Sequence, residues 1–104
     1  MKVLLFDPYS DVWVHSFPAS LVAETLAQHG HEVHAMRCDG VLNEFCIAMS
    51  ARGNTPTLSA AERHEACQSC RKRRQVLDEA FPFSTHLLES WLESEDFTRV
   101  NGLL

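Results

Sequence analysis

Glycine and proline are scarce, four of each in 104 residues, and aromatic residues make up only 9% of the chain. Collagen-like repeats and low-complexity disorder are therefore excluded, and 45% hydrophobic residues are enough to build a core. No Gly-x-Gly-x-x-Gly follows the first apolar segment, so the fingerprint of nicotinamide and flavin enzymes is missing. No run approaches the roughly 18 apolar residues of a membrane span, and the opening MKVLLF is broken by Asp7 and Pro8 before a signal-peptide core forms. Positive charge is also short: 9 bases face 14 acids, a net charge of −5, which argues against a general nucleic-acid binder. These absences predict a cytoplasmic domain, and 11.8 kDa is too little for a complete two-domain enzyme.

The charge is unevenly spread. Residues 59–75 hold five bases against two acids, whereas residues 76–104 hold one base against six acids. Four of the bases are consecutive, Arg71 to Arg74.

The order of segments predicts an α/β fold, a Rossmann-like βαβ start of a parallel sheet followed by a mainly helical, cysteine-containing segment. Residues 2–6 (KVLLF) have the length and apolarity of a strand buried on both faces. Ser16-Phe17-Pro18 has the form of a helix entrance with Ser16 as cap, and Gly30 suits a helix end. His31 to Arg37 alternates polar and apolar residues as a second strand does, and a connection of this length makes the two strands parallel. A short helix is favoured over a strand for Val41 to Met49, and Arg52 to Thr57 is expected to be a loop. Ser59-Ala60-Ala61-Glu62 is a capping box opening a long helix to about Ala80, stopped by Pro82. A helix from about Thr85 to Glu93 and a short one from Ser94 complete the expectation. The chain thus divides into a βαβ unit (1–37), a four-cysteine helical segment (38–83) and C-terminal helices (84–104).

Four cysteines in a reducing compartment are not a disulfide framework, which leaves metal binding, reactivity or burial to account for them. Cys67 and Cys70 are three apart on the long helix, about 60° around its axis, so both sulfurs face one way. From Glu62 to Gln75 the non-polar residues are only Ala66, Cys67 and Cys70, and these share an arc of about 100° with Leu77 and Phe81. That helix has little besides thiols with which to bind the domain. A site of Cys38, Cys46, Cys67 and Cys70 would tie the end of the second strand to the helix through zinc, or alternatively a 4Fe-4S cluster. His64, one turn before Cys67, is a further possible ligand. The bases that follow Cys70 would offset the charge of ligating thiolates.

Two other readings compete. One is a small metal-dependent interaction module whose Arg71 to Arg74 engage an acidic partner. The other is a thiol redox protein using Cys67 and Cys70, although the pair lies two turns inside its helix rather than at the amino end that activates such thiols.

MKVLLFDPY at the start, Gln28-His29-Gly30-His31-Glu32-Val33 after the first helix, Cys38-Asp39-Gly40 with Cys46, and Cys67-x-x-Cys70 together resemble the N-terminal part of GT-B glycosyltransferases. The likeness is to a cysteine-bearing subgroup associated with capsular or surface polysaccharide synthesis, and it spans nearly the whole chain. It implies an acceptor-side portion of such an enzyme, inactive by itself. A sugar or glycan acceptor would be its ligand, and the nucleotide-sugar donor would bind only a C-terminal domain that this chain lacks. That domain or self-association would complete the fold, with peripheral proximity to a membrane but no span. The resemblance puts the loop from Asp7 to His15 at the acceptor cleft, with His15 as general base or hydroxyl-orienting group. Asp11 and Trp13 lie in the same loop, where a tryptophan serves either as a sugar platform or as core.

Overall fold

The computed structural model describes residues 1–42, 46–51 and 58–103, with the side chains of 48 and 51 excepted. Its elements are β1 (Lys2–Phe6), α1 (Trp13–Gln28), β2 (Glu32–Arg37), α2 (Ile47–Ala51), α3 (Ala60–Ala80), β3 (Ser84–Leu87), a 3-10 turn (Leu88–Ser90) and α4 (Ser94–Leu103). The expected loop from Arg52 to Thr57 lies outside the described residues. So does part of the expected helix from Val41 to Met49, of which Val41 and Leu42 form a turn and Ile47 onward forms α2.

The sheet has three strands in the order β1-β2-β3, all parallel. Lys2 pairs with Glu32 and Phe6 with Met36 on one side of β2, and His34 pairs with Ser84 and Arg37 with Leu87 on the other. Both crossovers step in the same direction, so α1 and α3 pack against each other on one face of the sheet. Val33, Ala35 and Arg37 of β2 are buried there, together with Ala23 of α1 and Leu77 of α3.

α1 approaches the sheet through small residues. Ser16, Ser20 and Ala23, spaced four and three apart, are its buried positions. α3 presents the arc expected of it: Ala66, Leu77 and Phe81 are buried, and its N-terminus carries the complete capping box of Ser59 and Glu62. Phe81 closes the same core edge-on against Phe17.

Four expectations need correction. α1 begins at Trp13, and Ser16 is an interior residue rather than a cap, because its hydroxyl is drawn inward to Asp7 at the end of β1. β1 is not buried on both faces: Leu4 and Phe6 are about 60% exposed, since among the described residues no helix covers the sheet face they occupy. Ser84 to Leu87 is a strand followed by a 3-10 turn where a helix was expected, because pairing with β2 overrides the local preference of so short a segment. The sheet accordingly has three strands rather than two.

Candidate metal centre

The site grows from the carboxyl ends of β1 and β2. Arg37, the last residue of β2, is fully buried and its Nη1 donates to Asp7 Oδ2 at 2.6 Å. Asp7 Oδ1 accepts from the Ser16 hydroxyl at 2.9 Å, so the end of β1, the end of β2 and the first turn of α1 share one carboxylate. Arg37 Nε also reaches Asp78 of α3 at 3.4 Å. The chain leaves β2 from this anchored point into Cys38-Asp39-Gly40.

That turn is held from three directions. Within it, Gly40 N–H donates to Cys38 Sγ at 3.2 Å, and the left-handed φ of +117° at Gly40 makes the bend possible. From the turn after β3, Glu89 Oε1 accepts from the backbone N–H of Asp39 at 2.7 Å and of Val41 at 2.8 Å. From α3, Arg71 donates to Asp39 Oδ1 at 2.8 Å and to its carbonyl at 2.9 Å, while Arg74 donates to the Cys38 carbonyl and to Asp39 Oδ1, both at 3.1 Å. Arg71 draws the Asp39 carboxyl below its ordinary range.

The loop after β1 is joined to the same helix. Asp11 Oδ1 accepts from the Ser69 hydroxyl at 3.0 Å and lies 3.1 Å from Arg73 Nε. Trp13 stacks on Phe17 and has Arg73 above its ring, so it is committed to packing. Three of the four consecutive bases are therefore turned onto the carboxyl edge of the sheet, and Lys72 is exposed.

All four cysteines are free and half-buried, and all four line one small cavity of about 20 Å³. Pro8, Leu42, Met49 and Ala66 form the apolar part of its wall. Burial pushes the thiols of Cys38, Cys67 and Cys70 up, and negative charge on Cys46 would raise each of them further. Opposing this, the backbone at Gly40 and Leu42 donates to Cys38, the backbone at Asp11 donates to Cys70, and the Arg71 guanidinium favours the Cys67 thiolate. Donors aimed at sulfur are the chemistry of a thiolate that serves as a ligand. Among the described residues, however, no group of three or more histidine, cysteine, aspartate or glutamate side chains is arranged to hold a metal ion. The thiols share a cavity wall without forming a coordination shell.

His64 is exposed, bonds Gln68 at 3.2 Å, and rims a wider neighbouring cleft of about 600 Å³ rather than the thiol cavity. His15 is exposed in the first turn of α1 and lines a separate cavity of about 350 Å³ with Asp7, Tyr9 and Ile47. Sequence reasoning did not find Glu89, the Asp7–Arg37 pair or the Asp11–Ser69 bond, whose partners are 30 to 58 residues apart. Only a correct placement of β3 could have brought Glu89 beside the cysteine turn. No helix among the described residues is long and apolar enough to cross a membrane. The described residues form an α/β arrangement with a three-stranded parallel sheet opening β-α-β, and the chain matches no family model, no curated protein and no solved structure.

Proposed function

We propose that Cys38, Cys46, Cys67 and Cys70 bind one zinc ion, which fastens α3 to the carboxyl edge of the sheet as a structural element of a sugar-transferase acceptor domain. The observation that carries this reading is the meeting of four thiols, from three separate segments, at one cavity. Its volume of about 20 Å³ is close to that of a single water site, which favours one ion over an eight-atom cluster. Raised thiols in a helix interior are poor redox nucleophiles, which weighs against thiol exchange. The pairing of Arg71 and Arg74 with Asp39 and of Arg73 with Asp11 leaves little of the basic run for an acidic partner.

Zinc bound here would supply a cross-link rather than a reactive centre, since four protein ligands leave no open position. The protein's own part is to position the sulfurs: burial favours the protonated thiols, and the backbone donors and Arg71 offset part of that penalty once the ion displaces the protons. The sugar-transferase part of the reading rests on the parallel order β1-β2-β3 with both helices on one face, the arrangement that opens a doubly wound sheet. In that reading a glycan acceptor lies beyond the carboxyl ends of the strands, near His15.

Cobalt substitution tests the metal reading. A tetrathiolate site gives intense sulfur-to-cobalt absorption with one equivalent bound, and octahedral aqueous cobalt spectra at all ratios would overturn it. Saturation-transfer NMR with neutral oligosaccharides tests the acceptor reading: contacts to the His15 ring are expected, and their absence at millimolar ligand would refute it.

A further inference from the structure

The uncovered face of the sheet carries a second cluster, outside the cavity that the cysteines line. Alternation along the strands puts Glu32 and His34 of β2 on this face with His86 of β3. His34 is paired with Ser84, so His86 is its diagonal neighbour two residues on. The rings stack at 5.2 Å between centroids, and His34 Nδ1 lies 2.9 Å from His86 Nε2. The other ring nitrogen, His34 Nε2, lies 2.6 Å from Glu32 Oε1. Two neutral imidazoles satisfy both contacts when His86 Nε2–H donates to His34 Nδ1 and His34 Nε2–H donates to Glu32.

We propose that His34 Nδ1 and His86 Nε2 form a two-histidine site for a divalent transition-metal ion, with Glu32 as the carboxylate that orients the His34 ring. Two nitrogens bound to one zinc at about 2.0–2.1 Å in tetrahedral geometry stand about 3.3 Å apart, so the pair must open by only about 0.4 Å. A carboxylate accepting from the distal N–H of a ligand histidine is the usual outer partner of such a site, and Glu32 already occupies that place. The metal replaces the proton shared between the rings, and His86 shifts its own proton to Nδ1, so uptake releases no net proton. Imidazole nitrogen suits zinc, nickel and copper. With two protein ligands the site is weak and keeps coordination positions open to a groove of about 340 Å³ that Trp91 and Met36 also line. Trp91 meets the His86 ring edge-on at 5.8 Å. Two cations act on Glu32 among the described residues, Lys2, which is 82% exposed and 3.9 Å from its carboxylate, and the amino terminus of Met1, and Lys2 is free to turn away as the ion enters.

The test is a zinc titration of the full chain followed by histidine side-chain 1H–15N NMR, which reads each ring separately from any metal on the thiols. The expected result is a coordination shift at His34 Nδ1 and His86 Nε2 beyond that of His29 and His31, and a midpoint raised about 10-fold in Glu32→Gln. Glu32 is half-exposed, so this variant keeps the fold even if His86→Ala does not. Unshifted His34 and His86 rings, shifts no larger than those of His29 and His31, or an unchanged midpoint in Glu32→Gln would each overturn the site.

Discussion

Arg37 Nη1 and Asp7 Oδ2 meet at 2.6 Å beneath the cysteine turn, joining the carboxyl ends of two adjacent parallel strands. The guanidinium has no exposed surface, so this pair fixes the point from which the chain departs into Cys38. Asp7→Ala would leave the buried cation with only the longer contact to Asp78. A loss of about 3–5 kcal/mol is expected in urea unfolding, against a smaller loss for Asp7→Asn, which keeps an acceptor for Ser16. Equal stability of Asp7→Ala and the parent would disprove the anchoring role.

Glu89 acts on the site at its edge, where its Oε1 also lies 3.8 Å from the Cys38 sulfur. By accepting the N–H groups of Asp39 and Val41 it fixes the turn that aims the Cys38 sulfur. Glu89→Ala is expected to weaken metal binding about 10-fold or more, with the amide resonances of Asp39 and Val41 moving most. Competition with a colorimetric chelator measures the affinity, and an unaltered value would mean that the turn holds its shape without the carboxylate.

Asp39 supplies the acid sensitivity. Arg71 first, and then Arg74, lowers its carboxyl pKa in the folded state. A depressed folded pKa gives stability that is fully present above the unfolded value of about 3.9 and is lost as pH falls through the folded value. The carboxylate is 37% exposed, so the contribution is screened by solvent and shrinks as salt is added. Unfolding followed from pH 6 down to pH 2 should show a parent-specific decline below pH 4 that is missing in Asp39→Asn. The same decline in both proteins would assign it to other carboxylates.

Metal uptake is expected to release protons. The thiols of Cys38, Cys67 and Cys70 are raised by burial and are protonated at pH 7 without metal, so at least three protons leave as the ion binds. Affinity then rises with pH until those thiols ionise. Calorimetry in buffers of different ionisation enthalpy counts the protons, and a count near zero would contradict sulfur ligation.

Local rules reached some of this structure and not the rest. The capping box of Ser59 and Glu62, the stop at Pro82 and the alternation of His31 to Arg37 carry their information within a few residues, and α3 and β2 appear where those signals put them. Ser84 to Leu87 carries no such signal, because only hydrogen bonds to β2 make three exposed residues and the half-buried His86 a strand. Missing β3 also hid Glu89 and the His34–His86 pair, which depend on that strand. Cys67 and Cys70 were legible as one face of a helix, yet their meeting with Cys38 and Cys46 is a matter of tertiary structure. Arg71 to Arg74 were open to a partner in sequence, and Asp39 and Asp11 claimed three of them.

The account stands or falls on what the four thiols hold. Protein loaded with zinc and then desalted, which removes any ion held weakly by His34 and His86, should carry one zinc per chain by mass spectrometry of the metal, and Cys67→Ser with Cys70→Ser should carry none. Removing the ion with a strong chelator should lower the helical circular dichroism, because Ala66 and Leu77 alone bury little of α3. A chain that binds no zinc, or that keeps its full helical signal in the chelator, contradicts the metal as the fastening of α3.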